Sequence, residues 1–209
     1  MRPTFVIADL HIGDFDMCSL KKENGHPLRP FSSIEEHDET IIANWNKVVP
    51  KDARVYVLGD VAQKKSDIEK IGRLNGSRKI LIAGNHDIYP SSSYLKYFKD
   101  IRGTHRLENG ILMSHIPIHP SSFGKAHKVN VHGHIHDKVV KINEPDVILD
   151  RSVTYNIKPD PRYFCVSCEH INYTPMELGA IEIEVFGFDS RAKALDELAA
   201  QAQELNMGY

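Results

Sequence analysis

Lys79-Ile80-Leu81-Ile82-Ala83-Gly84-Asn85-His86-Asp87 is the stretch on which the reading of this chain turns. Its first five residues form a short, largely apolar run bounded by glycine, the pattern of a strand buried on both faces. The next four set an amide, an imidazole and a carboxylate side by side in a tight turn. Gly84 allows the sharp bend, so the turn belongs at the carboxyl end of a buried strand, the edge along which open α/β sheets keep their sites. Taken alone, a polar turn with a hydrogen-bonded histidine explains the tetrapeptide equally well.

Upstream, Thr4 to Ala8 reads as a strand that ends in Asp9-Leu10-His11. Residues two apart in an extended segment point to the same side, so Asp9 and His11 can meet one ion. Arg54 to Leu58 is the next strand and runs into Gly59-Asp60. Between the two, Gly13 to Ser33 is polar and longer than the ~12–15 residues beyond which loops tend to be functional or disordered. It carries Lys21, Lys22 and Arg29 and is expected to form a flap whose charges could meet a substrate phosphate. Ser33-Ile34-Glu35-Glu36 has the form of a capping box, and Ile34, Ile41, Ile42, Trp45, Val48 and Val49 recur at helical spacing until Pro50. That helix should cover one sheet face, with Trp45 in the core. Ser66-Asp67-Ile68-Glu69 is expected to open a shorter helix through Leu74, stopped by Asn75-Gly76.

Downstream, Tyr94, Leu95, Tyr97 and Phe98 are helix-like. Thr104 to Glu108 and Ile111 to His115 flank Asn109-Gly110, a strong hairpin signal. Lys128 to His132 reads as a strand ending at Gly133-His134-Ile135-His136, whereas His119, His127 and His132 read as loop or packed histidines. Lys138 to Lys141, Asp146 to Leu149 and Tyr163 to Cys168 are expected strands of a second sheet. Thr174-Pro175-Met176-Glu177 combines a capping box with proline at the first helical position, and its helix should end near Gly187. A final helix over about 189–206 would be a packing arm or an oligomer contact. With no repeat or linker in view, 1–209 reads as a single domain.

A formal net charge of -2 supplies no global positive field for nucleic acid or an anionic membrane. No apolar run approaches the ~18 residues of a spanning helix. Met1-Arg2-Pro3-Thr4 leads straight into a strand with no signal-peptide core, so a cytoplasmic location is expected. Three cysteines, an odd number, argue against a disulfide framework. Cys165 and Cys168 read as buried structural residues, Cys18 as a loop thiol.

Collected in order, the strand-end residues are Asp9, His11, Asp60, Asn85, His86, His115, His134 and His136. Mixed carboxylate, amide and imidazole ligands suit borderline divalent ions, Mn²⁺ first, with Fe, Zn²⁺ or Ni²⁺ as alternatives. They are too many for one catalytic ion. Two ions ~3.5–4 Å apart need a bridging carboxylate, and Asp60 is the natural bridge.

The ordered pattern D-x-H, G-D, G-N-H-D, H and G-H-x-H resembles the calcineurin-like metallophosphoesterase superfamily over Thr4 to His136. The resemblance implies an α/β fold, a four-layer αββα sandwich of two mixed β-sheets flanked by helices. It implies Asp9, His11, Asp60 and His136 around one metal, and Asp60, Asn85, His115 and His134 around the other. It further implies in-line attack on phosphorus by a metal-bridging hydroxide, with His86 stabilising the leaving oxygen and Asp87 orienting His86. One departure narrows the class: Gly59-Asp60 is followed by Val61-Ala62-Gln63-Lys64-Lys65, without the phosphate-binding arginine of the protein Ser/Thr phosphatases, and Asp87 stands where those have Glu. The chain is more similar to small stand-alone bacterial and phage phosphoesterases. Lys64, Lys65 and Arg29 are the weak candidates for substrate contact. The expected substrate is a small phosphomonoester or phosphodiester, a nucleotide among the options. A nuclease, disfavoured by the charge balance, and a non-catalytic assembly subunit are the alternatives.

Overall fold

The structure, a computed structural model, describes residues 2–147 and 153–187, so the helix expected over about 189–206 lies outside the described residues. Along the chain come β1 (Thr4–Ile7), a one-turn α1 (Asp16–Ser19), α2 (Ile34–Val48), β2 (Arg54–Val57), a 3-10 run (Lys65–Arg73) and β3 (Arg78–Ile82). They are followed by α3 (Ser91–Tyr94), β4 (Asp100–Arg102), β5 (Thr104–Arg106), β6 (Ile111–Ser114) and β7 (Val129–His132). Then come β8 (Lys141–Val147), β9 (Val153–Pro159), β10 (Tyr163–Cys165), β11 (Met176–Glu177) and α4 (Leu178–Phe186).

Two mixed sheets result, as expected for the α/β class. The first has the order β11-β1-β2-β3-β4, parallel except for β11. The second is β10-β7-β6-β5, parallel except for β5, and β8 pairs with β9 in a separate antiparallel hairpin. The strand period of two divides the apolar residues of the first sheet between two cores. Phe5, Ile7, Val55, Val57 and Leu81 face Ile41, Ile42 and Trp45 of α2, together with Ile68, Ile71, Tyr94 and Phe98. Val6, Ala8, Tyr56, Leu58, Ile80 and Ile82 instead meet Ile111, Met113, Val129 and Val131 of the second sheet. Because both faces of the first sheet are covered, its central strands are nearly continuously apolar.

On the outer face of the second sheet lies the chain between β6 and β7. The buried Asn130 donates to Leu112 O and accepts from Ile118 N, and the Tyr163 hydroxyl donates 2.6 Å to Ile118 O. Trp45 is wholly buried, and Ser33 caps α2 by accepting from Glu36 N at 3.1 Å.

Several expectations change. The segment before Asn75 is a 3-10 run, not an α-helix. Lys138 to Lys141 is irregular up to the last residue, which opens β8. Thr174-Pro175-Met176-Glu177 caps nothing: Met176 and Glu177 pair with Val6 and Phe5, and α4 begins only at Leu178. Its stop is as expected, with Gly187 left-handed at φ 67. Beyond β10, Ser167 bridges Ala8. That bridge brings the two sheets together where β1 ends.

Candidate dinuclear metal site

Five of the expected ligands adopt a backbone conformation that side-chain-bearing residues rarely take: Asp9 (φ 58), His11 (φ 47), Asp60 (φ 53), His134 (φ 73) and His136 (φ 52). Such strain persists only where the surroundings over-determine it. Here the chains leaving β1 and β2 stay locked together, through Asp9 N to Gly59 O (3.1 Å), His11 N to Asp60 O (2.9 Å) and Ile12 N to Val61 O (3.0 Å). Asp9 and His11 thus share a side by left-handed turns rather than by the extended alternation read from the sequence. Two glycines permit the close approach. A Cβ on Gly84 would collide with the Asp60 carboxylate, and one on Gly133 would lie 2.5 Å from Asp9 Oδ2.

The ligand atoms gather in two clusters. Asp9, His11 and His136 form one and Asp60, His115 and His134 the other, with the atoms of each within 4.8 Å of one another. Asp60 Oδ2 stands between them, 3.6 Å from His11 Nε2 and 3.3 Å from His115 Nε2. Asn85 Oδ1 joins the second cluster at 2.9 Å from His115 Nε2, with His134 Nδ1 at 3.2 Å from the same nitrogen. Three imidazoles have their other nitrogen committed: Nδ1 of His11 to Asp14 (3.0 Å), Nδ1 of His136 to Glu169 (3.2 Å) and Nδ1 of His115 to Leu58 O (2.8 Å). Those acceptors favour a proton on Nδ1 and so present Nε2 as the atom that would ligate an ion, the usual arrangement around a metal-ligating histidine. His11 Nε2 is buried without a hydrogen-bond partner among the described residues. A buried unpaired nitrogen costs about 1–3 kcal/mol, and a divalent ion among these donors would remove that cost. The residues therefore fit a pair of divalent ions, and Asn85, His115 and His134 with Asp60, or Asp9, His11 and His136 with Asp60, would hold them.

The charges agree with that fit. Burial pushes the Asp60 carboxyl upward, but His115 and the His86 N–H outweigh it and hold it at about 2. Burial likewise lowers His115, yet Asp60 and Asp9 raise it to about 8. The pocket stabilises positive charge between its carboxylates.

His86 is exposed and its ring makes no hydrogen bond among the described residues; it lies edge-on to the His11 ring, 5.4 Å between centroids. Asp87 does not orient it. The Asp87 carboxylate instead accepts three backbone N–H groups, from Gly84 (2.8 Å), Asp60 (2.9 Å) and Val61 (3.0 Å), clamping the turn after β3 onto the turn after β2. Arg29 is no substrate contact either. It is completely buried and donates to Asp9 O (2.6 Å), Leu10 O (3.0 Å) and Glu169 (2.7 Å), so the long loop returns to brace the ligand-bearing backbone from below. Lys64 and Lys65 are exposed and bind nothing among the described residues.

Sequence reasoning missed Asp14, Glu169 and Ser167. Ser167 donates 2.6 Å to Asp9 Oδ2 across 158 residues, and Glu169 reaches Arg29 across 140. Asp14 sits three residues after His11, yet a single local carboxylate carries no motif.

The calcineurin-like phosphoesterase family matches residues 2–195, and the chain belongs to that family. It is 38% identical over 91 residues to an uncharacterized protein of Methanocaldococcus jannaschii, covering 42% of this chain and 48% of that one, so it matches about half the length of that relative. Against the gene 66 protein of Mycobacterium phage L5 it is 27% identical over 173 residues, 67% of this chain and 80% of the phage protein. A crystal structure of an Aquifex aeolicus protein of unknown function superposes with a TM-score of 0.60 at 22% identity, covering 87% of this chain and 98% of that one, a likeness of fold. No helix among the described residues is long and apolar enough to cross a membrane.

Proposed function

We propose that this chain, residues 1–209 acting as one catalytic domain, is a dinuclear metal-dependent hydrolase of small organic phosphoesters. The observation that carries the reading is the position of Asp60 Oδ2 between His11 Nε2 and His115 Nε2, with His11 Nε2 buried and unpaired. Two divalent ions, when bound, lower the pKa of water and neutralise phosphoryl oxygens. Mn²⁺ is the first choice for the mixed oxygen and nitrogen donors. The chain's own contribution is positional. Asp9 and Asp60 hold fixed negative charge opposite the imidazoles, while His86, free and exposed, can donate a proton or hydrogen bond to the leaving oxygen. Three exposed apolar side chains support an organic rather than inorganic ester: Phe15 (50% exposed), Ile88 (77%) and Ile116 (52%) each stand one or two residues from Asp14, His86 or His115. Three free thiols suit a reducing, cytoplasmic setting.

The test is a hydrolysis panel of phosphomonoesters, phosphodiesters, cyclic nucleotides and short nucleic acids, run on metal-stripped protein restored with each ion. Cleavage of small esters that needs added metal and disappears in Asp60→Asn supports the reading. Cleavage of nucleic acid alone would make it a nuclease, and no cleavage with any ion would refute it.

A further inference from the structure

Beside the metal site, a groove of about 680 Å³ is walled by Lys21, Lys22 and Glu23 on one side and by Asp137, Lys138 and Lys141 on the other. Both walls connect along the chain to the same cluster. One belongs to the loop that follows His11, and the other starts directly after His136. Two residues span at most ~7 Å of chain, so Lys138 is anchored close to a metal ligand. The walls are built rather than loose: Lys21 bridges Pro27, Lys22 N donates 2.8 Å to His26 O, and Lys138 N donates 3.0 Å to Ile135 O. Four lysines against two carboxylates leave the groove cationic in a chain whose net charge is -2. Among the described residues none of the six forms an ion pair, whereas Lys70 is held by Asp38 and Lys79 by the carbonyls of Leu74 and Gly76. Cations with no ion-pair partner among the described residues, facing one groove at the lip of a phosphoester site, call for an anion.

We propose that this groove is a subsite for a second phosphate of the substrate, so that the preferred ester carries a further phosphate beyond the scissile one. The inference rests on the hydrolase reading above. Lys21, Lys138 and Lys141 are exposed and Lys22 is half-buried, so each should contribute about 1.4- to 5-fold, as solvent-facing ion pairs do, and the preference should fade with salt as screening shortens their reach.

The experiment compares two chromogenic diesters with one leaving group, the p-nitrophenyl ester of thymidine 5′-phosphate and its 3′-phosphorylated counterpart, on the metal-loaded protein. The 3′-phosphorylated ester should show a lower KM with similar kcat. Lys22→Ala/Lys138→Ala should remove that preference and leave turnover of the simpler ester unchanged. Lys47→Ala/Lys51→Ala, between the end of α2 and the amino end of β2, should keep it. No preference in the wild type, or equal loss in both double variants, overturns the subsite. Should neither diester nor p-nitrophenyl phosphate be cleaved, the hydrolase reading falls, and calorimetry then judges the groove by itself. Thymidine 3′,5′-bisphosphate must bind more tightly than thymidine 5′-phosphate, and the difference must vanish in Lys22→Ala/Lys138→Ala; equal binding overturns the proposal.

Discussion

Among the histidines at the metal site, His86 is set apart: it is exposed and, among the described residues, outside both ligand clusters and without a hydrogen bond on its ring. His86→Ala should therefore keep both metals and the fold while turnover of esters with poor leaving groups falls by about 10²–10⁴-fold, the usual range for a general acid. An activated aryl ester needs no proton on its leaving group and should lose less. Metal analysis beside the two rates checks this, and a lost metal would make His86 a ligand. Asp87 calls for the opposite outcome. Its three accepted N–H bonds hold the loops that carry Asp60 and Asn85. Asp87→Asn turns an amide toward at least one of those donors, so the unfolding free energy of the metal-free protein, read from denaturant titration, should fall by about 1–3 kcal/mol. A change in rate with unchanged stability would restore the orienting role. At this scale the ligands were legible because each is a residue type with metal affinity at a strand end. The residues that aim them were not, since Glu169 and Ser167 meet the site only through tertiary contact, and a left-handed Asp or His has no sequence signature.

At the level of elements, the buried strands were legible because unbroken apolar runs ended at glycine. Local preference was overridden elsewhere. Met176 and Glu177 fill the open edge beside β1 instead of starting a helix, and Lys65–Arg73 tightens into 3-10 geometry. The loop after His11, polar enough to read as a solvated flap, is tied to α2 and the 3-10 run by a single carboxylate. Asp38 accepts from Gly13 N (3.1 Å) and Lys70 Nζ (2.8 Å) and is paired with His37 Nδ1 (2.8 Å). Burial pushes Asp38 up, but those partners outweigh it and hold its carboxyl below the ordinary value. A depressed carboxyl stabilises the fold fully above its unfolded pKa, near 4, and the benefit is lost as pH falls through the folded pKa. Acid unfolding of metal-free Asp38→Asn should thus be shallower than wild type below about pH 4, while at neutral pH the variant is the less stable. Parallel stability curves across that range would show that Asp38 carries no such linkage.

For the molecule as a whole, the site stores a cost that its ligands cannot settle among themselves: a buried nitrogen on His11 with no hydrogen-bond partner among the described residues, and five residues held left-handed. An ion that binds only the folded chain offsets this by mass action, about 2.7 kcal/mol per site at a hundredfold excess over Kd. For a domain of this size each kcal/mol moves Tm by roughly 2–4 °C. Filling two sites should then raise Tm by roughly 10–20 °C above the metal-stripped protein, in a manner that grows with Mn²⁺ concentration. The variants divide this effect by geometry. His134→Ala touches one cluster and should remove about half of the rise, whereas Asp60→Asn, whose oxygen stands between both, should remove most of it, although each deletes a single group. Scanning calorimetry against metal concentration reads this without any substrate. If Asp60→Asn costs no more of the metal-dependent rise than His134→Ala does, Asp60 serves one ion and the shared-carboxylate arrangement is wrong.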